Sequence, residues 1–129
     1  NTEAIYDNRI AAKVAEMGYK GIITEGSENI LGWRSPNFLY KPVNTDLKVL
    51  LRNYKLSDDV GFRFSARMWP GHPLTADKYS YWMANCEGEL INLFMDYETF
   101  GEHQWDDTGI FDFLRHLPGE VLRHKHMDL

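Results

Sequence analysis

A chain of 129 residues with 43% hydrophobic and 14% aromatic side chains has the apolar content for a compact, well-cored fold and is not a disordered segment. Its formal net charge of -5, with acidic and basic residues interspersed, offers no footprint for a phosphate backbone, so nucleic acid is not an expected partner. No run approaches the roughly 18 apolar residues needed to span a bilayer, and the lone Cys86, with no internal partner, fits a reducing compartment and a cytoplasmic location.

From Tyr6, the positions Ile10, Val14 and Met17 fall at helical spacing and Gly18 follows where a left-handed cap is common, which predicts a first helix. Tyr19 to Thr24 is a short isoleucine-rich run between glycines, the pattern of a buried strand, with Glu25 at its carboxyl end. Residues 29–44 carry Gly32, Pro36 and Pro42 and read as a loop, rich in aromatics. Thr45 and Asp46 then open a predicted second helix through Leu47, Leu50, Leu51 and Tyr54.

Val60, Phe62 and Phe64 alternate with smaller or polar residues and predict a second strand ending near Ser65, before Pro70, Gly71 and Pro73 force a turn. Thr75 caps a predicted third helix with the stripe Tyr79, Trp82, Met83 and Cys86, closed near Gly88. Leu90 to Met95 reads as the strongest strand, and the chain turns polar abruptly at Asp96, placing Asp96, Glu98, Glu102 and His103 close together. Ile110, Phe111, Phe113 and Leu114 mark a helical face, and Pro118 suits the start of a further short helix.

Alternating helices and strands predict an α/β fold with parallel strands, read as a single unit over residues 1–129. In such sheets catalytic groups gather at the carboxyl ends of the strands, where Glu25, Asp96 and Glu98 are expected. Two carboxyl groups are what glycosidic bond cleavage requires, one to attack the anomeric carbon and one to protonate the leaving oxygen. The three histidines His116, His124 and His126 lack the partners of a metal site and read as a solvated tail, so no metal or other cofactor is expected. Trp82 and Met83 read as core, and Asp58 and Asp59 as residues that support folding.

FMDYETFGEHQW at residues 94–105, followed by TGIFDFLRHLP at 108–118, resembles the fourth characteristic region of glycoside hydrolase family 57, and NTEAIYDN at 1–8 resembles its third. EGSENILGWRSPN at 25–37 and KLSDDVGFRFS at 55–65 resemble the intervening barrel segments, closest to the α-amylase-like branch. The resemblance implies that Glu3 is the nucleophile and Asp96 the general acid/base of a retaining hydrolase or transglycosylase acting on α-glucans such as maltooligosaccharides. Their carboxyl groups would stand about 5 to 5.5 Å apart, with Asp96 kept protonated by partial burial and by the charge of Glu3 or Glu98. It also places His103 in the sugar site.

Trp33 can stack on a sugar ring and Arg34 can hold a carboxylate, unless the two only close the barrel top and pair with a surface acid. Glu25 and Glu98 are candidates for sugar contact by position. The family's first region, with its H-Q-P motif, and its second and fifth regions have no match. The chain therefore reads as an incomplete part of a seven-stranded TIM-like (β/α) barrel, expected to be inactive alone. The remainder of the parent polypeptide is its expected partner, and exposed edges favour self-association. The alternative is a non-catalytic α-glucan-binding or barrel-assembly fragment.

Overall fold

A computed structural model describes residues 4–129, so Glu3 lies outside the described residues. The chain packs as two compact units: residues up to Tyr54 together with Glu87–Phe94, and Lys55–Cys86 together with Met95–Leu129.

In the first unit, helix α1 (Asn8–Glu16) begins where expected. Asp7 caps it, its carboxylate accepting from the backbone N–H groups of Arg9 and Ile10, both at 2.8 Å. The bond from Ile10, then the one from the Arg9 side chain, holds the Asp7 carboxyl below the usual carboxylate range. Strand β1 (Gly21–Glu25) follows, ending at Glu25 as its isoleucine run predicts. A single helical turn, α2 (Glu28–Leu31), interrupts the stretch read as loop.

Strand β2 (Lys48–Arg52) then pairs parallel to β1, with Gly21 opposite Lys48 and Glu25 opposite Arg52. This corrects the helix expected over Leu47–Tyr54. The apolar run is short enough to fit either period, and pairing with β1 together with the alternate burial of Val49 and Leu51 makes it a pleated strand. Ala11, Ile22, Leu31, Leu47, Val49 and Leu51 form the buried core, with Tyr6, Ile10, Val14 and Tyr40 against it. Burying each large aliphatic side chain contributes about 1.5–3 kcal/mol.

The strand expected over Leu90–Met95 is reduced to one rung. Asn92 bridges Arg52 in parallel, its carbonyl accepting from Asn53 N–H at 2.9 Å and its side-chain amide donating to the Leu51 carbonyl at 3.0 Å. The segment thus follows β2 only at its carboxyl end. Gly26 is required there: a Cβ at this position would meet the Arg52 carbonyl oxygen at 2.3 Å and Pro36 Cβ at 3.0 Å.

The second unit is helical, entered by α3 (Tyr54–Gly61) and continued by α4 (Ala76–Ala84) and α5 (Ile110–Leu122). Helix α3 replaces the strand expected through Val60. Leu56, Ser57, Val60 and Gly61 share its buried face, and the apparent alternation arose because Phe62 and Phe64 lie beyond the helix end, where Asp58's carbonyl accepts from Phe62 and Arg63. Helix α4 is as read from its stripe. Pro118 falls inside α5 instead of starting a separate helix.

Tyr79 is fully buried, its hydroxyl donating to the Leu56 carbonyl at 2.8 Å, and burial pushes its phenol well above the ordinary range. Its ring lies 5.5 Å from that of Phe113, which in turn lies 5.2 Å from Phe64, both edge to face. Trp82 packs edge-on to Trp69 at 5.9 Å. Asp59 pairs with Arg63 at 2.7 Å, one helical turn on; burial raises its carboxyl while Arg63 opposes the rise. No helix among the described residues is long and apolar enough to cross a membrane.

Candidate active-site segments

The carboxyl ends of β1 and β2 gather the polar groups of the first unit. Glu25 accepts from Gly26 N–H at 2.9 Å through one carboxylate oxygen and from Arg52 Nη1 at 3.1 Å through the other. The pair follows from the register, because residues opposite each other in a parallel ladder present their side chains on the same face. Arg52 also donates through Nε to the Phe94 carbonyl at 2.6 Å, and its side chain is only 14% exposed. At the same end, the Ala4 carbonyl accepts from Glu25 N–H at 3.3 Å and from the Thr24 hydroxyl at 2.6 Å. Ala4 holds a left-handed backbone with φ of 53°, a conformation that costs a residue with a Cβ about 1–2 kcal/mol.

Beside this edge lies a cavity of about 300 Å³, with Ala4, Tyr6, Glu25, Arg34 and Tyr40 in its wall. The structure therefore brings Glu25 and Arg34 to one concavity. The Arg34 guanidinium donates to the carbonyls of Leu31 at 3.0 Å and Ile30 at 2.8 Å, closing the last turn of α2. Trp33, beside it in sequence, is 94% exposed and does not line the cavity.

Asp96, Glu98 and His103 share one surface segment of the second unit. Asp96 heads a 3-10 turn over Tyr97–Thr99 without capping it through its side chain. Thr99 and Gln104 are buried, and the Gln104 N–H donates to the Thr99 carbonyl at 2.9 Å. The Gln104 side-chain amide reaches the Gly61 carbonyl at 2.9 Å. These two anchors fold the segment so that Asp96, Glu98, Glu102 and His103 are exposed, along with Tyr97 and Trp105. Among the described residues Asp96 is exposed, where partial burial is the expectation from the sequence. Among the described residues, no hydrogen bond or ion pair occupies its carboxylate.

Arg52 does not stand out in the sequence, because a helix over residues 47–54 would put it on a polar face. The signal that could have found it was the shortness of the apolar run between Asp46 and Asn53, which favours a strand ending in a basic residue. Among the described residues no three His, Cys, Asp or Glu side chains converge as a metal would require. His124 lies 3.3 Å from the Ser80 hydroxyl and His126 3.1 Å from the Ala84 carbonyl, so both tie the end of the chain to α4.

The carboxyl ends of parallel strands, where Glu25 and Arg52 stand, are where barrel enzymes gather their catalytic groups. The model of glycosyl hydrolase family 57 matches residues 1–129, and the chain belongs to that family. It is 61% identical over its whole length to a protein of Methanocaldococcus jannaschii named "Putative alpha-amylase". The chain spans 27% of the length of that curated relative. No solved structure matches it.

Proposed function

We propose that the chain forms part of the catalytic barrel of a retaining glycoside hydrolase or transglycosylase acting on α-glucans, with Glu3 as nucleophile and Asp96 as general acid/base. The observation that carries this reading is the family match over every residue, together with the name of the M. jannaschii relative. Trp33, Arg34, Glu25, Glu98 and His103 are the residues proposed to contact sugar, and no cofactor enters the reaction.

The chemistry asks little more of the protein. The Glu3 carboxylate attacks the anomeric carbon while Asp96 gives its proton to the glycosidic oxygen, whose bond to that carbon breaks. The ionised Asp96 then takes a proton from water or a sugar hydroxyl as that oxygen displaces Glu3, restoring both groups with retained configuration. Ala4, next to Glu3 in the chain, is tied to the carboxyl end of β1, the end at which barrel enzymes place their catalytic groups.

We propose likewise that the chain is an incomplete part of a TIM-like barrel. Parallel sheets are ordinarily covered on both faces, yet Ile23 in β1 remains 43% exposed, and apart from β1 the described residues offer β2 only single bridges, Tyr40 at Val49 and Asn92 at Arg52. Further strands of the parent polypeptide would cover that face, and without them the edge would favour self-association.

The test is incubation of the full-length polypeptide that carries these residues with maltooligosaccharides, following the anomer released by NMR. Release of α-configured product supports the proposal, and β-configured product contradicts retention. A polypeptide that binds maltooligosaccharides without turning them over would point instead to a glucan-binding role.

A further inference from the structure

We propose that Arg52 is a positioning residue for the reaction, holding in register the two backbone segments that lead to Glu3 and Asp96. The inference rests on the assignment of those two residues as catalytic. It extends that assignment to a side chain that has no place in the two-carboxylate chemistry itself.

Three observations carry it. Arg52 uses Nε for the Phe94 carbonyl at 2.6 Å, and Phe94 stands two positions before Asp96 in the sequence. It uses Nη1 for the Glu25 carboxylate at 3.1 Å, and the backbone N–H of Glu25 donates to the carbonyl of Ala4, the residue after Glu3. Its side chain is only 14% exposed, so the fork works with little competition from water.

A guanidinium suits this task because its planar, divergent donors can hold a carbonyl and a carboxylate at once in fixed directions. A lysine keeps the charge but is a single point of donation. The Gly26 backbone reinforces the arrangement, since only a residue without a Cβ lets the Arg52 carbonyl approach so closely. Loosening such a support by about 1 Å can cost on the order of 100-fold in rate when reacting groups must be held in line.

The experiment compares Arg52→Lys and Arg52→Ala in the full-length polypeptide, measuring kcat and KM on maltooligosaccharides and the thermal midpoint, with and without millimolar guanidinium. Glu3→Gln and Asp96→Asn are assayed beside them. The expected result is a loss of about 100-fold in kcat for Arg52→Ala with KM changed less than about threefold. Added guanidinium should restore about tenfold of that loss, and Arg52→Lys should remain at least tenfold below the parent.

A merely structural arginine would lower the thermal midpoint without any rescue by guanidinium, itself a denaturant. Wild-type kcat in Arg52→Lys overturns the proposal, as does an Arg52→Ala loss that guanidinium leaves unchanged. If Arg52→Ala does not fold, Arg52→Lys decides alone. Full turnover in Glu3→Gln or Asp96→Asn instead overturns the catalytic assignment underneath, and this proposal with it.

Discussion

Asp96→Asn in the full-length polypeptide is expected to cut kcat/KM on maltooligosaccharides by about 10²–10⁴-fold, the usual contribution of a positioned general acid. The loss should depend on the leaving group. A sugar alkoxide is a poor leaving group and needs the proton, whereas a nitrophenolate leaves without one. On a nitrophenyl maltoside the first, glycosylation step should therefore run in Asp96→Asn within about tenfold of the parent, and the second step, which needs Asp96 as base, should become limiting. A burst of nitrophenol followed by slow turnover is the expected record. Equal losses on both substrates would mean that Asp96 does not serve as the acid.

The second large effect is on stability. Tyr79→Ala removes a fully buried ring that contacts Phe113 and donates to the Leu56 carbonyl, at an expected cost of about 3–5 kcal/mol. That is a large part of the stability of an ordinary domain. Tyr79→Phe keeps the ring and removes one hydrogen bond, so it should cost only about 0.5–1.5 kcal/mol. Urea unfolding of the two variants measures the difference. A Tyr79→Ala cost no larger than that of Tyr79→Phe would show that the ring is not central to the packing of α4 and α5.

Much of this architecture was legible in the sequence where the pattern was long. Helices α1, α4 and α5 carry apolar stripes over two or more turns, and β1 is bounded by glycines on both sides, so spacing and breakers agree. The exchanged assignments of β2 and α3 have one cause, since both are short and their apolar residues satisfy either period. Pairing with β1 settles the first, and burial of Leu56 and Val60 on one helical face settles the second. Pro118 misled because a proline can also sit within a helix when packing on α4 compensates for one lost backbone bond.

The candidate site was legible in part for the same reasons. Glu25 stands at a strand end as its position predicted, and Asp96, Glu98 and His103 do share one segment, which the abrupt turn to polar residues marks. Arg52 stayed hidden because its partners are a carbonyl and a carboxylate distant in sequence, brought near only by the β1–β2 register. Trp33 lies away from the cavity that holds Arg34, although the two are adjacent in sequence, since the Arg34 guanidinium turns back to the carbonyls of α2.

The central claim, a covalent mechanism through Glu3, is tested most directly by treating the full-length polypeptide with a fluorinated glucosyl donor that slows the second step, then digesting it and locating the added mass. The account predicts one glycosyl group on the carboxylate of Glu3, released when a maltooligosaccharide acceptor is added, and no label in Glu3→Gln. A label on another carboxylate, or undiminished labelling in Glu3→Gln, would contradict it.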